Sequence, residues 1–335
     1  MRHYHPALHE RMGVGAVQTP RLQAEGVLAK RNNTTTLPLA ALLFIVSGFA
    51  PISARPSESS LPPYEIENTQ VARIHSSRLK RTYPIFIKLP RSYARRPEAR
   101  YPVLFLHDAP YAFPLVCSLT RQMGGGGRIG EMLIVGIGYS DGDDGGVSRT
   151  RDYTPTHSPD EPIGHSKQAR QASGGAAAYL QFMREELFPY LTQNYRVDLS
   201  QATYAGHSFG ALFGAYVTLT APGTFRNYIL SDASLWYDDE AIFKLADATA
   251  PAQSGAAPGQ APAVLIVAAK PDAPNRSGFP YRMVENALRF ESVLKKRQLN
   301  VDALVFPGEI HETLFPIAVS RGLLKFFGTA GSGTP

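Results

Sequence analysis

The pentapeptide Gly206-His-Ser-Phe-Gly210 carries the clearest chemical signal in this sequence of 335 residues. It matches the pattern G-x-S-x-G, in which a serine stands on a sharp turn between a strand and a helix. A short stretch suited to a strand, 201–205, precedes it, and an Ala/Gly-rich stretch, 211–217, follows. Such a turn holds the hydroxyl at the edge of a sheet, where backbone N–H groups face an incoming oxyanion. The pattern therefore predicts that Ser208 is a nucleophile for acyl transfer.

A serine hydroxyl is a poor nucleophile without a base, so a histidine must lie near it in the folded chain. Of the nine histidines, His311 directly follows the last predicted strand, 301–306, and precedes the final predicted helix. The order Ser, acid, His along the chain is typical of α/β-hydrolases. We therefore predict that His311 is the general base.

The acidic partner of the histidine is less well defined by the sequence. In this fold it normally follows the strand before the last, and the stretch 263–269 leads to Asp272. Asp272 is therefore the predicted acid, although Pro271 and Pro274 also suit an ordinary turn. Asp238, Asp239 and Glu309 are alternatives, and a Ser–His dyad without an acid is a further one.

Alternating strand and helix patterns provide the elements that position these residues. Short, mostly apolar runs predict seven strands, several of them buried on both faces as in a parallel sheet: 83–89, 102–107, 132–138, 201–205, 227–231, 263–269 and 301–306. Apolar residues at helical spacing predict helices, among them 176–195, 281–297 and 317–327. This alternation predicts one α/β domain with a doubly wound, mostly parallel sheet flanked by helices. Together with the G-x-S-x-G turn and the order Ser, acid, His, it indicates the α/β-hydrolase fold.

The N-terminal segment has the layout of a secretory signal. Lys30 and Arg31 precede an apolar run, 39–46, and small residues end at Ala54, a suitable cleavage site. The apolar run is too short for the roughly 20 residues that span a bilayer. We expect a leader at 1–54 with a signal peptide, a periplasmic or secreted enzyme, and no stable membrane span in the mature chain.

The rest of the chain divides into a polar linker, 55–67, and a single predicted α/β-hydrolase domain, 68–330. Residues 140–173 are rich in Gly, Asp, Arg, Pro and His and predict a long loop over the site, since loops of that length are usually functional or disordered.

Composition excludes several classes of protein. With 44% hydrophobic and 19% charged residues the chain is globular, and its single cysteine excludes an intramolecular disulfide framework. The net charge is +6, but residues 1–54 carry five Lys or Arg against two Asp or Glu, which leaves +3 on the remainder. A nearly neutral domain without a Lys/Arg-rich run does not indicate nucleic-acid binding.

Six short motifs of this chain occur together in one known family: 101–108 (YPVLFLHD), 149–155 (RTRDYTP), 195–198 (YRVD), 206–210 (GHSFG), 234–239 (SLWYDD) and 308–311 (GEIH). Together they resemble the esterase D-like ("putative esterase") family of α/β-hydrolases, and within it the bacterial siderophore esterases that open enterobactin- and salmochelin-type trilactones. The resemblance covers roughly residues 68–328.

This resemblance implies that Ser208 and His311 are nucleophile and base, and that Asp272 stands at the place of the acid. It also implies an oxyanion hole formed by the Phe209 N–H and an N–H from the loop after Asp108. The family usually has Asp-Gly there, whereas this chain has Asp108-Ala-Pro110. Because proline has no N–H, the second donor is Ala109 or Tyr111, or it is missing.

For the substrate, we expect a small-molecule ester. Arg149 and Arg151 on the long loop suit an anionic, catecholate-bearing substrate such as a ferric siderophore, with Trp236 in the pocket wall. Alternatively, these arginines pair with Asp141, Asp143 and Asp144 as ordinary loop charges. The proposed chemistry needs no cofactor or metal. A general short-acyl esterase and a non-catalytic siderophore-binding or ester-binding protein on the same scaffold are the alternative functions.

Overall fold

The computed structural model describes residues 62–162, 165–250, 261–273 and 281–329. The chain divides into two units, 1–61 and 62–335, and only the second contains described residues. The predicted leader, its cleavage site and most of the linker therefore lie outside the described residues.

Within the described ranges, eight strands form one sheet. They are β1 (Thr69–Ser76), β2 (Arg81–Lys88), β3 (Tyr101–Leu106), β4 (Leu133–Ile137), β5 (Val197–His207), β6 (Asn227–Ser231), β7 (Ala263–Lys270) and β8 (Asn300–Pro307). The order across the sheet is β1-β2-β4-β3-β5-β6-β7-β8. The β1/β2 and β2/β4 pairs are antiparallel and all the others are parallel, which confirms the predicted mostly parallel sheet.

Strand β1 was not predicted from the sequence. It is an edge strand, paired only with β2, and several of its side chains are exposed. Because one face of such a strand meets solvent, its sequence, TQVARIHS, mixes polar with apolar residues and lacks the apolar run of a central strand.

Helices cover both faces of the sheet. They are α1 (Ala109–Gly125), α2 (Gly145–Tyr153), α3 (Lys167–Ala172), α4 (Ala176–Phe182), α5 (Phe188–Asn194), α6 (Phe209–Thr220), α7 (Tyr237–Ala248), α8 (Met283–Lys296) and α9 (His311–Phe327). A π-helical segment, Met183–Leu187, joins α4 to α5, so the predicted helix 176–195 is one helical run with a π segment inside it.

Two apolar layers enclose the sheet. One face packs against α4, α6 and α8 through a layer that includes Phe105, Tyr204 and Phe213. The other face packs against α1 and α9 through a layer that includes Leu104 and Ile229. The central strands are buried on both faces, which explains why they are continuous apolar runs in the sequence.

The sequence predicted one long loop over residues 140–173. This prediction is wrong, because the segment contains α2 and α3. The Asp144 carboxylate caps α2 by accepting from the N–H groups of Gly146 and Val147, and the Ser166 hydroxyl caps α3 by accepting from the Ala169 N–H. These caps satisfy N–H groups that a helix start leaves unpaired. Among the helices that the structure describes, none is long and apolar enough to cross a membrane.

Candidate active site

Three neighbouring strands, β3, β5 and β6, are each followed, within two residues of the strand end, by a residue with an unusual backbone conformation. Asp108 has φ 51°, Ser208 has φ 57° and Asp232 has φ 44°. Non-glycine residues seldom adopt positive φ, and such strain concentrates at functional sites. Because the strands run parallel and side by side, the three residues lie along the same edge of the sheet.

Ser208 stands at the turn between β5 and α6, as predicted. Its N–H donates to the Ser231 carbonyl (3.0 Å), and its own carbonyl accepts from the Leu212 N–H (2.9 Å) as α6 begins. A Cβ at Gly206 would approach the Gly210 carbonyl carbon to 2.5 Å, so only glycine permits so close a turn there. The turn thus holds the hydroxyl at the edge of the sheet formed by the carboxyl ends of the parallel strands, as a nucleophile requires.

His311 is the first residue of α9, and its Nδ1 lies 2.6 Å from Asp232 Oδ2. The imidazole ring lies 4.4 Å, centroid to centroid, from the ring of His207, the residue before Ser208. When the ring carries its single proton on Nδ1 and donates it to the Asp232 carboxylate, Nε2 is able to take the proton of a serine hydroxyl. The His311 side chain is 40% exposed, so it borders solvent.

Asp232 is held rigidly at the end of β6. Its side chain is only 2% exposed, and Oδ1 accepts from the Ala269 N–H (3.0 Å) while Oδ2 contacts His311. Its own N–H donates to the Val267 carbonyl (2.7 Å). One carboxylate oxygen therefore fixes the side chain and the other orients the histidine.

The predicted acid, Asp272, does not occupy this position. It lies beyond the end of β7 and is exposed, whereas β6 is the immediate neighbour of β5 and delivers Asp232 to His311. Of the alternatives, Asp239 pairs with Lys244 and Glu309 accepts from the Thr313 hydroxyl. Asp238 lies on α7, where its backbone N–H donates to Glu161 Oε2 (2.9 Å).

Sequence reasoning missed Asp232 because it assigned the acid to the segment that follows the strand before the last. The signal that could have identified it is a carboxylate directly after a buried strand, 227–231, next to the nucleophile strand in chain order. Ser234 was missed as well, and its Oγ lies 3.3 Å from the Ser208 Oγ.

The structure distinguishes the N–H groups that follow Asp108. Phe209 and Ala109 are the first residues of α6 and α1, a position whose N–H has no partner within a helix. The Tyr111 N–H donates to the Asp108 carbonyl (3.0 Å), and Pro110 has no N–H. Of the two donors that the sequence left open, Tyr111 is therefore engaged within the first turn of α1.

Arg149 forms a buried ion pair with Asp108. Its Nε and Nη2 lie 3.0 and 3.2 Å from the two carboxylate oxygens, and the Tyr139 hydroxyl donates to Oδ1 (2.8 Å). Burial alone would raise the pKa of Asp108, but the charge and hydrogen bonds of Arg149 outweigh it and hold that pKa below its usual value. The guanidinium also lies 5.4 Å from the Phe209 ring centroid and 3.0 Å from His165 Nε2.

Arg151 is also engaged within the protein. It contacts Asp152 through Nε (2.9 Å) and Asp143 through Nη1 (2.7 Å), and it donates to the Ser140 hydroxyl (2.9 Å). Of the two interpretations drawn from the sequence, these contacts favour pairing within the loop for Arg151. Arg149 pairs instead with Asp108, a partner that the sequence did not suggest.

Several aromatic side chains lie near the turn that carries Ser208. Trp236 lies 6.2 Å, between ring centroids, from Phe209 and 5.0 Å from Tyr281, so the predicted wall residue lies beside this turn. The half-exposed Tyr111, in the first turn of α1, contacts Phe315 of α9 (5.6 Å between centroids). No metal-binding cluster of three or more His, Cys, Asp or Glu occurs among the described residues.

Known proteins that are similar to this chain are esterases. Residues 76–321 match the family described as "Putative esterase". The ferri-bacillibactin esterase BesA of Bacillus subtilis is 30% identical over 267 residues, which cover 78% of this chain and 90% of that protein. The apo-salmochelin esterase of Escherichia coli O6:H1 is 24% identical over 250 residues, 74% of this chain and 76% of that protein.

Among solved structures, an IroE-like serine hydrolase from Shewanella oneidensis matches with a TM-score of 0.64 and 28% identity, covering 77% of this chain and 80% of that one. A siderophore hydrolase, EstB, from Aspergillus nidulans has the same TM-score at 22% identity and covers 79% of this chain and 97% of that one. With the sheet order described above, these matches confirm the α/β-hydrolase fold.

Proposed function

Because this chain belongs to the putative esterase family and is a carboxylic-ester hydrolase, we propose that it works through an acyl-enzyme on Ser208 and that its substrate is a siderophore ester. The observation that carries the mechanism is the hydrogen bond between His311 Nδ1 and Asp232 Oδ2. The His311 ring lies 4.4 Å from that of His207, which precedes the serine held at positive φ. Serine, base and acid on three elements are the parts that such a reaction needs.

In the first half-reaction, His311 Nε2 takes the Ser208 hydroxyl proton as Oγ forms a bond to the ester carbonyl carbon. The tetrahedral intermediate collapses when the bond to the leaving alkoxide breaks, and His311 protonates that oxygen. In the second half-reaction, water gives its proton to His311 and attacks the acyl carbon. The carboxylic acid product then leaves and Ser208 regains its proton.

The negative charge that develops on the carbonyl oxygen requires hydrogen-bond donors. The Phe209 and Ala109 N–H groups stand at the first positions of two helices whose N-terminal ends carry partial positive charge. We assign them to the oxyanion hole, so Pro110 does not remove the second donor.

The proposed substrate is a siderophore of the catecholate trilactone type. The relatives are named as esterases of ferri-bacillibactin and of apo-salmochelin, and Trp236 and Tyr111 provide aromatic surface suited to an aryl group. The Arg149 and Arg151 charges are compensated by Asp108, Asp143 and Asp152. We therefore propose that Arg149 and Arg151 hold the wall of the site in place and do not pair directly with charges on the substrate.

Hydrolysis by the purified protein tests both parts of the proposal. The substrates are neutral p-nitrophenyl esters and a ferric catecholate trilactone, and wild type is compared with Ser208→Ala and with Ser292→Ala, an exposed serine on α8. Loss of turnover in Ser208→Ala alone supports the mechanism, and preference for the trilactone supports the substrate. Preference for the small esters would make it a general short-acyl esterase, and binding without turnover would make it a binding protein.

We further propose that the enzyme is exported and acts in the periplasm or outside the cell, after cleavage following Ala54. The support is the sequence pattern of residues 30–54. N-terminal sequencing of the mature protein is expected to begin at or near Arg55. A mature chain that retains residues 39–46 would contradict a cleaved signal peptide.

A further inference from the structure

Two buried side chains behind the active site, His107 and Tyr204, take no part in the reaction described above. The Tyr204 hydroxyl lies 2.5 Å from the Gly210 carbonyl oxygen, to which it donates, and 2.8 Å from His107 Nδ1. Since Tyr204 has one hydroxyl proton and a carbonyl only accepts, the His107 Nδ1–H must donate to the tyrosine oxygen. The two bonds therefore join the residue before Asp108 to the first turn of α6.

His107 can donate this hydrogen bond as a neutral ring throughout the pH range above its pKa. It is 2% exposed, and burial lowers its pKa to about 3, so the ring remains neutral. A neutral ring carries one proton, and the bond to Tyr204 fixes that proton on Nδ1. The direction of both hydrogen bonds is thus determined by the chemistry of the three groups.

Packing holds the pair in place. The His107 ring is parallel to Tyr153, with 4.4 Å between centroids and a 2° tilt, and meets Tyr204 edge-on at 5.1 Å. A Cβ at Gly214 would come within 2.6 Å of the Tyr204 ring, and one at Gly206 within 2.7 Å of its hydroxyl. The two glycines leave the space in which Tyr204 reaches Gly210.

We propose that His107 and Tyr204 are positioning residues that set the separation between the two oxyanion donors, the N–H groups of Ala109 and Phe209. The proposal rests on the proposed function, because it assumes that these N–H groups bind the oxyanion. His107 precedes Ala109 by two residues, and Gly210 directly follows Phe209. The hydrogen-bonded link therefore connects the two chain segments whose spacing must match one oxygen atom.

The expected defect is in the chemical step. Removing one oxyanion donor costs about 100- to 1,000-fold in turnover, and a donor that is displaced but still present should cost less. We expect Tyr204→Phe, which keeps the ring and removes the hydroxyl, to lower kcat by roughly 10- to 100-fold. KM should stay within about twofold, because the oxyanion contacts strengthen in the transition state.

Tyr228→Phe is the matched control. Tyr228 pairs with Tyr204 across β5 and β6, is fully buried, and its hydroxyl also donates to a backbone carbonyl, that of Pro222 (2.8 Å). Tyr228→Phe loses one buried hydrogen bond, whereas Tyr204→Phe loses two, those with Gly210 and His107. Of the two tyrosines, only Tyr204 is hydrogen-bonded to α6 at Gly210. Active-site titration with a p-nitrophenyl phosphonate counts the competent serines, so that kcat is expressed per active site. Thermal denaturation shows whether each variant is folded, and the two measurements together separate misfolding from a catalytic defect.

A pair of variants at His107 provides a second test. In His107→Asn the side-chain amide can place an N–H near the position of Nδ1, whereas His107→Leu fills the space without a donor. We expect the asparagine variant to retain about tenfold more kcat than the leucine variant at equal active-site content.

Ser208→Ala, assayed alongside, distinguishes failure of the proposed function from failure of the positioning role. If it retains turnover, the proposed function is wrong. If it abolishes turnover and the kcat of Tyr204→Phe matches that of Tyr228→Phe, the positioning role alone is overturned. Equal kcat in the two His107 variants would likewise remove His107 from the link.

Discussion

Asp108 and Asp232 occupy equivalent places in the molecule and have different partners. Each follows a central parallel strand, has positive φ and is buried. Asp108 faces the guanidinium of Arg149, with the Tyr139 hydroxyl as a further donor. Asp232 faces the imidazole of His311 and the backbone N–H of Ala269.

The partner determines what each carboxylate can do. Arginine stays protonated in proteins, so the pair with Asp108 exchanges no proton and can only fix structure. Histidine can gain and lose a proton near neutral pH, so in the proposed mechanism Asp232 stabilises the imidazolium that forms when Ser208 is deprotonated. By this proposal, similar strand ends provide one structural carboxylate and one that supports a base.

The largest effect is expected from Asp232→Asn. An amide N–H facing Nδ1 would favour the tautomer of His311 with its proton on Nε2, which cannot accept from Ser208. We expect kcat to fall by roughly 10³- to 10⁴-fold, the scale found when the acid of such a triad is replaced. Steady-state kinetics on a p-nitrophenyl ester measures the effect, with Asp302→Asn, at an exposed salt bridge to Lys325, as the control. Turnover near wild type would show that a Ser–His dyad suffices.

Arg149→Met should instead act on stability. It leaves the Asp108 charge buried without its cation, and breaking such a pair costs about 3–5 kcal/mol in the free energy of unfolding. The double variant Asp108→Asn/Arg149→Met removes both charges and should recover much of that loss. Urea denaturation measures both values. If the single and double variants were equally stable, Arg149 would not be compensating Asp108.

The same pair predicts a pH dependence. Because the folded-state pKa of Asp108 lies below its unfolded value, the carboxylate contributes stability that is complete above about pH 4 and is lost as pH falls through the lower, folded-state pKa. The double variant lacks this contribution, so below about pH 4 the difference in free energy of unfolding between wild type and double variant should change with pH.

Three histidines also change the stability with pH. Burial lowers the pKa of His107 to about 3, burial together with the charge of His311 lowers that of His207 to about 4, and burial together with the charge of Arg149 lowers that of His165. Wild type should therefore lose stability as pH falls from about 6.5, where unfolded histidines take up protons. His165 Nε2 lies 3.0 Å from Arg149, so a difference that changes between pH 6.5 and 5 is assigned to His165. Absence of any change below about pH 4 would contradict the compensation of Asp108 by Arg149.

The contrast between the two carboxylates also explains what the sequence could predict. Ser208 and the Phe209 N–H follow from a local rule, since G-x-S-x-G between a strand and a helix specifies the turn by itself. His311 follows from its position after the last strand. The mostly parallel sheet is likewise visible in apolar runs, because strands buried on both faces need them.

The identity of the acid depends on contacts between distant parts of the chain. His311 and Asp232 are 79 residues apart, and their contact requires that β6 lie beside β5 and that α9 begin at His311. Neither condition is encoded near Asp232, so a rule based on chain order selected Asp272. The partner of Arg149 was missed for a similar reason, since Asp108 is 41 residues away.

The smallest effect is expected from Asp272→Asn, which tests the chain-order rule directly. The side chain is exposed and lies beyond β7, and surface substitutions usually change free energies by no more than about 0.5 kcal/mol. Turnover should therefore stay within about twofold of wild type, measured in the same assay as Asp232→Asn. A loss comparable to that of Asp232→Asn would mean that Asp272 reaches His311 during the reaction, and the two carboxylates would then share the role that the geometry assigns to one.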